Sequence, residues 1–204
     1  MQIPVIPLTS DSEGNILYAR FEADGDGLKI TETSPFKREM LPRIGYRAPL
    51  LILDVKGLSR DNINPDILKR FRVRGASMWL MTSVNDADDV FDAFNSDADA
   101  VLMPYHRIYS EDDLLDILSV SDSAIPSLFI KEGKCICPDG TEDVLSVADY
   151  LFDTGYTRIA VIDTDSSLSF EDWKKISQSG DIIPFSRKFH RSIFEYFGMK
   201  DVIE

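Results

Sequence analysis

Leu50-Leu51-Ile52-Leu53-Asp54 is a short apolar run that stops at a polar residue, and this arrangement recurs along the chain. Clear repeats are Met78-Trp79-Leu80-Met81-Thr82 and Ile159-Ala160-Val161-Ile162-Asp163, each followed by a helix-like stretch. Strands of a parallel sheet are buried on both faces, so they appear as continuous apolar runs, and helices connect them. The pattern therefore predicts an α/β fold built on a parallel sheet.

Apolar runs of this kind can be counted along the whole chain. They predict strands at residues 2–8, 50–54, 77–81, 99–103, 125–130, 158–162, 181–185 and 201–203. Eight strands with intervening helices are typical of a (β/α)8 TIM-type barrel, so we expect a divergent barrel with short or absent first and last helices. Residues 1–204 are expected to form this single domain, with hairpin insertions at about residues 12–31 and 131–137.

Capping and turn signals predict where several helices begin. Ser34-Pro35 predicts the start of a short helix, because a serine cap followed by proline suits the first helical turn. Asn64-Pro65 predicts another helix that runs to about Arg72. A later helix is expected to begin at Thr141 or Glu142, directly after a predicted turn.

The charge balance argues against some classes of partner. The chain has 35 acidic and 22 basic side chains and a formal net charge of −13, whereas binding to a nucleic-acid backbone relies on Lys and Arg. No apolar stretch approaches the roughly 18 residues of a transmembrane helix, and the first residues lack the features of a signal peptide. We therefore expect a cytoplasmic protein that binds neither nucleic acid nor membranes.

The two cysteines, Cys135 and Cys137, occupy alternate positions of a predicted strand. With no histidine nearby, they complete neither a zinc site nor a Cys-x-x-Cys redox motif. Asp163 and Asp165 could offer oxygen ligands to a metal, but nothing in the sequence supplies a full ligand set. We interpret the cysteines as structural and predict neither a metal nor a cofactor.

Several segments are similar to those of one known family of barrels. Ile3-Pro4-Val5-Ile6-Pro7-Leu8 resembles its first strand, and Leu51-Ile52-Leu53-Asp54-Val55 its second. Thr82-Ser83-Val84-Asn85-Asp86-Ala87-Asp88-Asp89-Val90 resembles the Gly-Gly-Val-Arg-x-x-Glu-Asp-Val segment after its third. The family is that of the histidine-biosynthesis barrels, which comprises phosphoribosylformimino-AICAR ribotide isomerase, the imidazole glycerol phosphate synthase cyclase and archaeal relatives. The resemblance implies the barrel fold and a phosphorylated small molecule as ligand.

The same resemblance implies catalytic carboxylates at the ends of the first and fifth strands, acting as general acid and base. Pro7 and Phe129 stand near these positions, and neither side chain can transfer a proton. Glycines that let backbone amides approach a phosphate in the family are replaced by Thr82 and Ser83, and later by Ser186-Arg187-Lys188. We therefore expect that the chain is not a working isomerase of the histidine pathway.

Side chains just beyond the strand ends are expected to converge on one mouth of the barrel, where catalysis takes place in this fold. Asp54 and Asp163 each end an apolar strand and are the candidate acid/base residues, although such carboxylates also cap turns. Lys131 and Asp165 also follow strands, but Lys131 lies in what looks like an exposed hairpin turn. The candidate ligand-binding residues are Lys56, Thr82, Ser83, His106, Arg107, Ser186 and Arg187.

Two functional classes stay open. A non-catalytic barrel, kept for binding or for pairing with another protein, is favoured by the missing carboxylates and glycines. The alternative is an isomerase- or lyase-type enzyme for a phosphorylated small metabolite, with Asp54 and Asp163 transferring protons and Arg107 or Arg187 holding the anion. A missing last helix would expose apolar strand flanks, so we expect a homodimer, a partner protein or the N-terminal hairpin to cover them.

Overall fold

The apolar runs of the sequence form strands of one large sheet. A computed structural model describes residues 1–24, 27–42, 45, 47–60, 63–64 and 66–204. The strands are β1 (Gln2–Ile3), β2 (Val5–Ser10), β3 (Ile16–Asp24), β4 (Gly27–Pro35), β5 (Pro49–Asp54), β6 (Ser77–Met81), β7 (Ala100–Pro104), β8 (Ala124–Lys131), β9 (Lys134–Cys137), β10 (Gly140–Glu142), β11 (Arg158–Asp163), β12 (Asp181–Ser186) and β13 (Val202–Ile203). The helices are α1 (Val55–Arg60), α2 (Asp66–Arg70), α3 (Ala87–Asn95), α4 (Glu111–Val120), α5 (Val144–Thr154), α6 (Phe170–Ile176) and α7 (Arg191–Tyr196), with 3-10 turns at Arg38–Met40 and Tyr105–Arg107.

The strands that connect through helices pair in parallel. Their spatial order is β2-β5-β6-β7-β8-β11-β12, with a hydrogen-bonded ladder between each pair of neighbours. β1 pairs in parallel with β13, and the Val5 N–H of β2 donates a 3.1 Å bond to the Glu204 carbonyl. β12 contacts β13, but no ladder joins them within the described residues. The α/β prediction is confirmed, whereas the closed sheet of a TIM-type barrel is not.

The two faces of the sheet carry separate apolar clusters because successive side chains of a strand point in opposite directions. Leu50 and Ile52 of β5 belong to the cluster that packs beneath the helices, together with Val90 of α3. Leu51 and Leu53 belong to a second cluster, which includes residues of all the parallel strands from β5 to β13. Alternate residues of a strand therefore belong to the same cluster, and consecutive residues belong to different clusters.

Side-chain caps fix the beginnings of the longer helices. Asp86, Ser110, Asp143 and Ser169 each accept a hydrogen bond from the backbone N–H three residues further along. Such a cap satisfies one of the N–H groups that have no partner inside the helix and stabilises it by about 1 kcal/mol. Each of these four helices therefore begins directly after a residue whose side chain caps it.

Two helix predictions need correction. Ser34 and Pro35 do not open a helix, because Ser34 pairs with Tyr18 in the β3–β4 hairpin and the helical turn comes later. The helix expected at Thr141 or Glu142 begins at Val144 instead. Residues Gly140–Glu142 pair with β9, and Asp143 is the helix cap.

The connection after β5 also differs from its prediction. An unpredicted helix, α1, begins directly at the end of β5 with Val55. The helix expected from Asn64 to Arg72 is shorter, since α2 is Asp66–Arg70, and Pro65 lies outside the described residues. The hairpin insertions are present as β3–β4 and β8–β9, and the first of them ends at Pro35, beyond its predicted end at residue 31.

The sheet flank at β2 and β13 is covered by the chain itself. Ile6 of β2 is 3% exposed and Val202 of β13 is 2% exposed, and both lie in the cluster beneath the helices. The apolar flank that led us to expect a dimer or a partner protein is therefore not bare at these residues. No helix in the described ranges is long and apolar enough to cross a membrane.

Candidate functional site

A cavity of about 540 Å³ lies at the carboxyl ends of the parallel strands. Six successive parallel strands each place a residue of their last or second-last position in its wall: Leu53, Met81, Pro104, Lys131, Ile162 and Phe185. The volume falls within the range of small-molecule sites. Strand ends of a parallel sheet thus form the base of this cavity, as they do in the binding sites of α/β proteins.

The β3–β4 hairpin completes the cavity. Phe21 of β3 and Leu28 of β4 line it, and both pack against the second apolar cluster, which contains Leu51 and Leu53. β4 contacts α1, so the hairpin folds towards the helix that follows β5. The walls are predominantly apolar as a result, and charged side chains are confined to a few positions.

Three strands place their residues around the cavity in register. Ile162 of β11 is paired with Phe129 of β8 on one side and with Phe185 of β12 on the other. Two residues further along the chain come Lys131, the last residue of β8, and Thr164 and Arg187, which directly follow β11 and β12; all three line the cavity. The apolar row is therefore followed, at the ends of the three strands, by two cations and a hydroxyl in the cavity wall.

Asp54 does not line this cavity. Its side chain is fully buried and accepts hydrogen bonds from the Gly57 N–H at 2.9 Å, the Asn64 N–H at 3.1 Å and the Thr82 hydroxyl at 2.8 Å. Burial raises the pKa of Asp54 to about 6, against the lowering effect of these donors. The carboxylate joins β5, α1 and the end of β6, which is the turn-capping role that the sequence left open.

Asp163 has a similar environment. It is fully buried and accepts bonds from the Ser167 N–H at 3.0 Å, the Leu168 N–H at 3.3 Å and the Ser186 hydroxyl at 3.4 Å. Burial raises the pKa of Asp163, and the neighbouring Asp165 adds to the shift. Asp54 is in β5 and Asp163 is in β11, and three other strands of the sheet lie between them. Neither residue lines the cavity.

The predicted ligand-binding residues divide into two groups. Lys56 donates to Ser10, at 3.4 Å to its carbonyl and 3.3 Å to its hydroxyl, and like Thr82, Ser83 and Ser186 it is not part of the cavity wall. His106, Arg107 and Arg187 do line the cavity. The residues of this second group all lie just beyond strand ends: His106 and Arg107 follow β7, and Arg187 follows β12.

His106 and Arg107 lie in the 3-10 turn after β7. The His106 ring stands edge-on to the Phe129 ring, with a centroid distance of 5.5 Å and an interplanar angle of 87°. The Arg107 guanidinium donates to the Ser83 hydroxyl at 2.9 Å and to the Leu58 carbonyl at 2.7 Å. Arg107 therefore fastens this turn to β6 and α1 while its side chain forms part of the wall.

Asp165 is a cavity carboxylate that is already hydrogen-bonded. It accepts from the Ser167 hydroxyl at 2.6 Å and from the Glu132 N–H at 2.7 Å. Partial burial alone raises the pKa of Asp165, but these hydrogen bonds outweigh it and hold the pKa below its ordinary value. The group is therefore ionised at neutral pH and is a weak proton acceptor. The described residues contain no cluster of three or more His, Cys, Asp or Glu suited to a metal ion.

Thr164 and the hairpin residues Phe21 and Leu28 are cavity residues that the sequence analysis missed. For Thr164 the sequence does hold a signal. Alternate residues point to the same side of a strand, so a strand continued beyond Ile162 would place Thr164, and not Asp163, on the side of Ile162. For Phe21 and Leu28 there was none, since their position depends on where the whole hairpin folds.

Comparison with known proteins identifies no family for this chain. No protein-family model matches the sequence, and no curated protein is significantly similar to it. The resemblance to the histidine-biosynthesis barrels is carried by the segments quoted above and stays a prediction.

Proposed function

We propose that this chain is a (β/α)8-type barrel whose cavity binds a small, largely apolar molecule and performs no acid/base catalysis. The observation that carries the proposal is the cavity of about 540 Å³ with apolar walls at the strand ends. Removing apolar surface from water contributes about 25 cal/mol per Å², so such walls favour an apolar ligand over a hydrated one. The chain's role would be to bind, as the missing family carboxylates suggested.

The strand order supports the barrel part of the proposal. The pairs β2-β5-β6-β7-β8-β11-β12 follow the chain in sequence, as consecutive units of a barrel do. β13 pairs with β1 on one side and contacts β12 on the other, which supports the proposal that it serves as an eighth strand. Descent from the histidine-biosynthesis barrels fits this order and is part of the proposal.

The carboxylates argue against the enzymatic alternative. A general acid or base must reach the substrate with a proton to give or accept. Asp54 and Asp163 are outside the cavity wall, with oxygens occupied by backbone and hydroxyl donors. The pKa of Asp165, which does line the cavity, is held below its ordinary value. An isomerase or lyase would need a proton-transfer group that these three residues do not supply.

The walls also argue against a phosphorylated sugar as the ligand. Such a molecule carries many hydroxyl groups, and burying each one without a hydrogen-bond partner costs about 1–3 kcal/mol. Leu51, Leu53, Met81 and Ile162 offer no such partners. An apolar body has no such requirement.

Binding of N-phenyl-1-naphthylamine, a neutral fluorophore whose emission rises in apolar surroundings, tests the proposal. We expect saturable binding to the wild type and loss of binding in Met81→Trp and Leu28→Trp, which fill the cavity from its base and from the hairpin. Leu115→Trp, at a position that is 44% exposed on α4, is the matched control and should bind normally. Thermal unfolding of each variant shows that it is folded. No binding to the wild type, or unchanged binding in both folded cavity variants, would contradict the proposal.

A further inference from the structure

We infer that the ligand carries one anionic group, held at the cavity rim between Lys131 and Arg187 and beside Thr164. The cavity would thus take an apolar carboxylate. This inference rests on the proposed binding function and adds to it the chemical class of the ligand. Its basis is the register of β8, β11 and β12, together with the state of the charged groups around the rim.

The register makes the three rim residues neighbours. Phe129, Ile162 and Phe185 form one row across the three strands, and each rim residue directly follows the last residue that pairs among these strands, Ile130, Asp163 or Ser186. Adjacent strands are about 4.8 Å apart, which places the Lys131 and Arg187 backbones roughly 10 Å apart with Thr164 between them. Both cationic side chains are longer than half this distance, so they can reach a single anion above Thr164.

The two rim cations are available to a ligand. Neither Lys131 nor Arg187 forms a salt bridge within the described part of the chain, and both side chains are exposed at their outer ends. Arg107, the other cation of the wall, differs because its guanidinium is bonded to Ser83 and to the Leu58 carbonyl. Lys131, Thr164 and Arg187 therefore offer ammonium, hydroxyl and guanidinium donors that have no competing acceptor among the residues that the structure describes.

Three acidic residues also line the cavity, so the balance of formal charge alone does not choose the ligand. Asp165 is occupied by Ser167 and the Glu132 N–H, and the Glu204 carboxylate accepts a hydrogen bond from the Gln2 amide. Glu132 lies at the hairpin turn, directly after Lys131, with a positive φ of 52°. Glu132 is thus the remaining acidic residue of the wall, against the ammonium, hydroxyl and guanidinium donors of the three rim residues.

The rim and the walls together define a class of ligand. The row Phe129–Ile162–Phe185 below the cations contacts an apolar body, and the cations bind a charged head. Hydrogen bonds between guanidinium or ammonium and a carboxylate are among the strongest in proteins. A monocarboxylate with an aliphatic or aromatic body provides both the apolar body and the charged head, whereas a bis-phosphorylated sugar provides only the charged group.

Competition against bound N-phenyl-1-naphthylamine tests this assignment, with octanoate, octan-1-ol and octylammonium as matched competitors. We expect octanoate to displace the probe at a concentration at least about tenfold lower than octylammonium. Arg187→Gln and Lys131→Gln should each weaken octanoate about tenfold, which corresponds to about 1.4 kcal/mol, and leave octan-1-ol unchanged. Lys188→Gln, which removes the charge of the adjacent residue outside the cavity wall, should change neither competitor.

The outcomes separate the two proposals. Failure of the wild type to bind the neutral probe contradicts the binding function, and this inference with it. Probe binding with equal competition by octanoate and octylammonium, or with octanoate unaffected in both Gln variants, overturns the carboxylate assignment alone. Displacement by octan-1-ol in every variant shows that the cavity is intact, so a loss confined to octanoate reports on the rim.

Discussion

The hydroxyl of Thr82 donates a 2.8 Å hydrogen bond to the buried carboxylate of Asp54. Thr82 follows β6 and Asp54 ends β5, so this bond joins the carboxyl ends of two adjacent strands on the side away from the cavity. The same carboxylate accepts the N–H groups of Gly57 and Asn64. A polar network centred on Asp54 therefore holds the connections that surround the base of the cavity.

Thr82→Val should destabilise the protein. The change keeps the side-chain shape but removes a donor from a buried carboxylate, which costs about 1–3 kcal/mol. Urea denaturation should show a lower midpoint with an unchanged slope. Thr82→Ser keeps the hydroxyl and is the matched control. If Thr82→Ser lost as much stability as Thr82→Val, the effect would come from packing and not from the hydrogen bond.

Gly57→Ala should also be destabilising because the Asp54 carboxylate occupies the space beside Gly57. A Cβ at Gly57 would lie 2.1 Å from Asp54 Oδ2 and 2.7 Å from Thr82 Oγ1, so the network would have to move. Overpacking of this kind costs about 1–3 kcal/mol. Gly45→Ala, where the nearest neighbour of the added Cβ is at 3.8 Å, is the control and should be near neutral. Comparable effects of the two substitutions on the unfolding free energy would argue against the network.

Asp54 should make the folded state less stable as the pH rises towards neutrality. Burial raises its pKa from 3.8 to about 6, so the folded protein binds this proton more tightly than the unfolded chain. The contribution of Asp54 to the free energy of unfolding is about 3 kcal/mol larger below about pH 4 than above pH 6. It is lost as the pH rises through 6. Comparing urea unfolding of the wild type with that of Asp54→Asn across this range isolates the effect. A difference between the two proteins that does not vary with pH would contradict it.

The cysteines should be unreactive in the folded protein. Burial raises the pKa values of both Cys135 and Cys137, so little thiolate is present at neutral pH, and the thiolate is the reactive form. Ellman's reagent should label neither thiol rapidly in native protein and both in urea. Rapid labelling of the native protein would show that β9 opens or that the thiols are accessible.

The sequence predicted the strands better than it predicted the site. Runs such as Leu50–Asp54 locate buried strands because an apolar run of that length has few alternative places in a fold. The sequence predicts Asp54 and Asp163 as site residues because each ends such a run. Their neighbours Leu53 and Ile162 line the cavity instead, since consecutive side chains of a strand face opposite sides.

The rest of the site depends on tertiary structure. Phe21 and Leu28 line the cavity only because the β3–β4 hairpin folds towards α1, and no local signal specifies that contact. The register that sets Lys131, Thr164 and Arg187 side by side depends on which strands become neighbours. Because side chains point alternately to the two faces of a strand, one known cavity residue in a strand is enough to predict the other cavity-facing residues of that strand.

Anomalous diffraction from crystals of the protein with 8-bromooctanoate tests the central claim most directly, because the bromine marks the apolar end of the ligand. The account predicts a bromine peak among Leu53, Met81 and Phe129, with the carboxylate between Lys131 and Arg187. A bromine site elsewhere on the molecule, with this cavity empty, would contradict it.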